Sequence, residues 1–115
     1  MSSDNMERPG HLPVQQALVF AALGDPTRLA LLMQLSDGRT SSIAGLSGGS
    51  KLTRQAITKH LHVLETAGLV MRSKVGRESQ YAFRPEPIEE VRAYLDRVSH
   101  QWEDALSRLR VFVEG

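Results

Sequence analysis

The chain has 115 residues, of which 41% are hydrophobic and 23% charged, with a net charge of +1 and no cysteine. One domain of ordinary composition fits that length, and the core it can bury is small. The missing cysteines exclude disulfides, thiolate zinc sites and cysteine nucleophiles, and no apolar run approaches the roughly 20 residues that a membrane span needs.

Residues 1–12 are polar and have no apolar signal-peptide core, so they read as a flexible arm ahead of one domain over 13–115, with a cytoplasmic location expected. Val14 to Leu23 is expected to form a first helix, because Val14, Ala17, Leu18 and Ala21 repeat at helical spacing. Gly24 ends it. Asp25 can then cap a second helix, with Pro26 in the first position, where its missing N–H costs nothing. Leu29, Leu32, Met33 and Leu35 are expected to face the core, and Asp37-Gly38 stops the helix. Thr40 or Ser41 can cap a short third helix over 42–46, with Ile43 and Leu46 inward. Ser47-Gly48-Gly49-Ser50 breaks it.

Thr53 can cap a fourth helix running to Thr66, with Ala56, Ile57, Leu61 and Leu64 as its apolar positions and Gly68 at the left-handed C-terminal stop. Two strands follow, Leu69–Val75 and Gln80–Arg84, joined by a tip at Gly76–Ser79. Pro85-Glu86-Pro87 prevents further pairing and starts the last helix. In it Ile88, Val91, Leu95, Val98, Trp102, Ala105, Leu109 and Phe112 recur at steps of three and four, a heptad stripe. A helix over 88–113 spans about 39 Å at 1.5 Å per residue, more than the small domain before it can cover. Part of the stripe is therefore expected to meet a second copy. Val14, Leu18, Ile88, Val91, Leu95, Val98, Trp102 and Leu109 are the expected interface.

Four helices, a hairpin and a last helix make a mostly α chain with a small β-hairpin: a winged helix-turn-helix. The charge distribution agrees with a polyanionic partner. Residues 51–84 hold seven Lys and Arg against two Glu, a net of +5, whereas residues 85–115 sum to −3 and residues 1–50 to −1. On the fourth helix Arg54, Gln55, Thr58, Lys59 and His62 project away from the Ile57–Leu61–Leu64 face. That outward face offers hydrogen bonds and positive charge, as a helix entering the major groove of duplex DNA needs. Thr53 at the helix start, with Lys74 and Arg77 on the hairpin, would contact phosphates or a flanking groove.

Three ordered segments carry a family resemblance. Ala22-Leu23-Gly24-Asp25-Pro26-Thr27-Arg28-Leu29-Ala30-Leu31-Leu32 is similar to the opening signature of ArsR-type (SmtB/ArsR) repressors. Thr58-Lys59-His60-Leu61-His62-Val63-Leu64-Glu65-Thr66-Ala67-Gly68-Leu69-Val70 resembles their recognition helix, and Gly76-Arg77-Glu78-Ser79-Gln80-Tyr81 their wing. The resemblance implies a homodimer through the first and last helices, binding to an operator, and repression relieved by an inducer. It also places Gln55, Thr58, Lys59 and His62 at DNA-contacting positions. The family's founding members hold metals through cysteines on the third helix or Asp and His on the last. Here the third helix has no cysteine, histidine or acid, and the last has Asp96 and one histidine, His100, four residues apart. The chain looks like a metal-free branch, so no metal or cofactor is expected and no residue points to a particular inducer.

Two other classes are weaker. A winged-helix module that docks a protein without specific DNA binding does not account for the basic 51–84 segment. An enzyme is not expected: no carboxylate pair or nucleophile–base pair is evident, and Gly45-Leu46-Ser47-Gly48-Gly49 lacks the Gly-Lys-Ser/Thr of a phosphate loop.

Overall fold

The computed structural model describes residues 13–48 and 51–115. The expected arm over 1–12, and Gly49 and Ser50 of the glycine-rich turn, lie outside the described residues. The elements run α1 Val14–Leu23, α2 Pro26–Leu35, β1 Ser41–Ser42, α3 Ile43–Ser47, α4 Arg54–Thr66, β2 Val70–Val75, β3 Glu78–Phe83 and α5 Glu86–Glu114. Helix α1 turns into α2 through a bend of 97°.

Local chemistry explains that corner. The Asp25 carboxylate accepts from the amides of Thr27 at 2.8 Å and Arg28 at 3.0 Å, which caps α2. These bonds, that from Arg28 first, hold the Asp25 carboxyl below its usual range against an opposing desolvation cost. Arg28 then reaches back. Its Nε donates to the Ala22 carbonyl at 2.9 Å and its Nη2 to the Ala21 carbonyl at 3.1 Å. The Ala22 carbonyl at the end of α1 is thereby satisfied, and the Ala21 carbonyl gains a second donor beside the Gly24 amide at 3.2 Å.

The clamp also decides which face of α2 turns inward. Arg28, Leu31, Leu32 and Leu35 form one helical stripe, and Leu31, Leu32 and Leu35 are buried. Leu29 and Met33, expected in the core, are exposed instead, because the Arg28 anchor rotates them out. Helix α1 shows a similar choice. Val19 and Ala22 are buried, with Phe20 and Leu23 packed beside them, whereas Val14, Ala17, Leu18 and Ala21 face solvent. Both sides of α1 are apolar, so helical spacing alone does not distinguish them.

The centre of the domain is α4. Ile57, Leu61 and Leu64 have no exposed surface and pack with Leu35 of α2, Leu46 of α3 and Leu69 before β2. Burying each of these three α4 side chains contributes roughly 1.5–3 kcal/mol. Gly68, at φ +79°, closes the helix in the left-handed region, and Gln15 of α1 donates to the Ala67 carbonyl at 2.9 Å.

The sheet has three strands, in the order β1-β3-β2, where a two-stranded hairpin was expected. Ser41 and Ser42 pair with Tyr81 and Gln80. Ser42, rather than Thr40 or Ser41, caps α3: its hydroxyl accepts from the Gly45 amide at 3.0 Å. Helix α3 accordingly starts one residue later than expected. The hairpin is also tighter than expected. Val75 pairs with Glu78 and Lys74 with Ser79, so only Gly76 and Arg77 form the turn. Gly76 takes φ +65°, a conformation costly for any residue with a Cβ.

Helix α5 packs on α1 through its first half. Val91 is buried, Ile88 is packed on the core, and the rings of Tyr94 and Phe20 meet edge to face at 6.3 Å. No single helix among the described residues is long and apolar enough to cross a membrane.

Candidate DNA-binding interface

Helix α4 begins at Thr53, whose hydroxyl oxygen accepts from the Ala56 amide at 3.1 Å. That bond uses an oxygen lone pair and leaves the hydroxyl proton available to a phosphate beside the positive end of the helix. Burial of Ile57, Leu61 and Leu64 turns Arg54, Gln55, Thr58, Lys59 and His62 outward, and all five are exposed. Thr58 is partly engaged: its hydroxyl donates to the Arg54 carbonyl at 2.8 Å. It can still accept a hydrogen bond, but must break this one to donate.

The hairpin is fixed beside α4 by its strand alternation. Val70 is buried on the core side, so Arg72 and Lys74 lie on that same face of β2. Arg72 reaches Glu65 of α4, with Nε to Oε2 at 3.7 Å. This exposed ion pair adds little stability and marks where β2 runs beside the end of α4. Lys74 lies two residues farther toward the tip, and Arg77 occupies the turn. The acid beside Arg77 is occupied elsewhere. Thr40 donates to the Gln80 side-chain carbonyl at 2.8 Å, and the Gln80 amide donates to Glu78 at 2.9 Å.

Arg28, Arg39, Arg72 and Arg84 each have a carboxylate partner. Among the described residues, Lys51, Arg54, Lys59, Lys74 and Arg77 have none and all five are exposed. The unpaired cations of the basic segment thus belong to α4, the residues leading into it and the wing. Lys51 was counted in the segment's charge but not among the expected site residues. Its position two residues before the Thr53 cap is the signal that brings it in.

The expected dimer residues divide into two groups. Val91 is buried within the protomer, and Ile88 and Val98 are half-buried. Val14 at 77%, Leu18 at 39%, Leu95 at 48%, Trp102 at 65% and Leu109 at 56% are exposed. Asp96 and His100 face solvent. The His100 Nδ1–H donates to the Asp96 carbonyl at 2.8 Å, which favours the protonated ring and raises its pKa above the ordinary value, with Glu103 adding a smaller effect. That bond occupies one ring nitrogen, and no group of three or more possible metal ligands comes together among the described residues.

Residues 25–72, from the Asp25 cap through α4 to Arg72, match the family described as bacterial regulatory protein, arsR family. The chain is 40% identical over 76 residues to the uncharacterized HTH-type transcriptional regulator YuzN of Bacillus subtilis, covering 61% of this chain and 83% of that protein. It is 29% identical over 88 residues to the HTH-type transcriptional repressor SmtB of Mycobacterium tuberculosis, covering 76% of this chain and 63% of that one. Among solved structures, an ArsR-like transcriptional regulator from Rhodococcus sp. RHA1 superposes with a TM-score of 0.75 at 35% identity, over 85% of this chain and 92% of that one. With its helix-turn-helix, its wing and these matches, the chain belongs to the ArsR family of DNA-binding bacterial transcription regulators.

Proposed function

We propose that the protein is a cytoplasmic repressor that binds an inverted-repeat operator as a homodimer. In this reading α4 enters the major groove. Gln55 and His62 face base edges there, Arg54 and Lys59 reach base edges or the adjoining phosphates, and Thr53 and Thr58 lie near the backbone. Arg suits the paired acceptors of guanine and Gln the donor and acceptor of adenine. Lys74 and Arg77 on the wing meet the flanking backbone or minor groove. Two copies joined through α1 and α5 present two α4 helices about 34–36 Å apart, one turn of the duplex.

The observation that carries this reading is the set of five unpaired, exposed cations along α4, its lead-in and the wing. Exposure of Trp102 and Leu109 on a heptad stripe supports the two-fold association. Selection of bound fragments from genomic DNA tests both parts. An inverted repeat with half-sites one turn apart is the expected product. Recovery of no duplex above background at low salt would favour a protein-docking module instead.

A further inference from the structure

An open hollow of about 160 Å³ lies between α1 and α4, lined by Leu18 and Ala21 on one side and His62, Val63, Thr66 and Ala67 on the other. Leu18 and Val63 are each more than a third exposed, so two large apolar side chains beside the helix-turn-helix are left partly uncovered by their own protomer. The end of α5 has the opposite shape. Leu106, Leu109, Val111, Phe112 and Val113 are all more than half exposed, and Phe112 reaches 84%.

Geometry relates the two. A Cβ on Gly68 would lie 3.6 Å from both the Gln15 side chain and the Pro87 ring, so the start of α1, the end of α4 and the start of α5 meet at one point. Farther along, Phe20 meets Tyr94, so α1 and α5 run side by side in the same direction. The 29 residues of α5 span about 43 Å, and its distal half overhangs the domain. A second α5 can lie on the first parallel or antiparallel. A parallel pair in register sets every charge of α5 opposite its own copy, whereas an antiparallel pair about His100, which a two-fold axis across the helix produces, sets Glu90 opposite the partner's Arg110 and Arg97 opposite the partner's Glu103. Like charges then meet only at Glu86 and the partner's Glu114, Arg92 and the partner's Arg108, and Asp96 and the partner's Asp104. Helix α5 has its midpoint at His100, so antiparallel pairing about that point sets the partner's Phe112 opposite Ile88, close to where α1, α4 and α5 meet.

We infer that the last turns of the partner's α5, carrying the partner's Phe112 and the partner's Val113, fill the hollow between α1 and α4. A cavity of about 150 Å³ accepts a benzene-sized group, so a phenylalanine ring fits this one. The inference rests on the two-fold reading above and adds a function to it. The helix that faces DNA is braced by the other subunit, and a shift of either α5 end displaces α4.

The absence of cysteine makes the contact directly testable. Val63→Cys protein is mixed with Phe112→Cys protein, and separately with Val113→Cys protein, and each mixture is oxidised while sedimentation reports the association state. The expected result is a covalent heterodimer in at least one mixture, retained on a non-reducing gel and lost on reduction. A sedimenting dimer that yields no cross-link in either mixture overturns the docking and leaves the two-fold reading standing, whereas a monomer overturns both. A second measurement avoids the disulfide geometry. Phe112→Ala, assayed at concentrations where it sediments as a dimer, is expected to bind duplex several-fold more weakly with an unchanged salt slope, since no phosphate contact is removed. Unchanged affinity overturns the brace.

Discussion

The assignment of the unpaired cations can be tested by their response to salt. Each phosphate neutralised by a Lys or Arg releases condensed counterions, so the logarithm of affinity falls with the logarithm of salt at about 0.9 per contact. Lys51, Arg54, Lys59, Lys74 and Arg77 have no carboxylate partner among the described residues, so each can meet DNA without first breaking an ion pair. In a dimer these amount to ten cations, an upper limit of about −9 for the slope. A single substitution removes two contacts per dimer and should reduce the slope by about 1.8. Between 50 and 200 mM salt the wild type would lose affinity by up to a factor of ~10⁵, and Lys59→Ala or Arg77→Ala by roughly tenfold less. Fluorescence anisotropy with a labelled random-sequence duplex at four or five salt concentrations reads this directly. Arg92→Ala, on α5, should leave the slope unchanged. If Lys59→Ala and Arg77→Ala both keep the wild-type slope, the proposed surface does not touch the backbone and the reasoning fails.

Four further predictions concern the scaffold. Arg28→Ala removes two guanidinium bonds to the Ala21 and Ala22 carbonyls, and thermal or urea unfolding should show a loss of about 2 kcal/mol; a loss under about 0.5 kcal/mol would mean that water replaces the clamp at no cost. Thr53→Ala deletes the α4 cap and should cost about 1 kcal/mol in denaturant unfolding, while Thr53→Ser should retain most of it. The Gln16 side-chain oxygen is buried with no partner among the described residues, so Gln16→Met should raise the unfolding free energy by up to about 1 kcal/mol; a loss would show that the amide is satisfied in solution. His100 should titrate above 6.5 by NMR, because its ring donates to the Asp96 carbonyl. The folded state therefore holds that proton more tightly than the unfolded chain. The resulting stability is fully present below the unfolded value and is lost as pH rises through the folded one. Relative to His100→Gln, the wild type should gain stability at pH 5.5 and not at pH 8.5; the opposite order would refute the assignment.

Much of the site was legible in the residues because its signals are local. Thr53 caps α4, Gly68 closes it, and Ile57, Leu61 and Leu64 set its inward face, so the outward set of Arg54, Gln55, Thr58, Lys59 and His62 follows from helical geometry. The Thr58 bond to Arg54 was not legible, since a threonine on a helix can point either to solvent or to the preceding turn. Two residues of β1 were missed because so short a strand has no periodicity; its pairing with Tyr81 and Gln80 is a long-range event. The wing turn was expected to be two residues longer, since Glu78 and Ser79 have turn-like chemistry and only pairing with Val75 and Lys74 draws them into the strand.

By itself the sequence determined where α1, α2 and α4 start and stop, because caps, prolines and left-handed glycines act within a few residues. It also determined that the positive charge concentrates in one segment, residues 51–84. The tertiary structure decided orientation. Helices α1 and α2 each carry apolar side chains on more than one face, and either arrangement satisfies a 3.6-residue repeat. Arg28 on the α1 carbonyls turns Leu31 inward and Leu29 and Met33 out, and packing against Tyr94 turns Phe20 inward and leaves Val14 and Leu18 uncovered. Which face a helix buries is settled by what lies across from it, and that partner is distant in the chain.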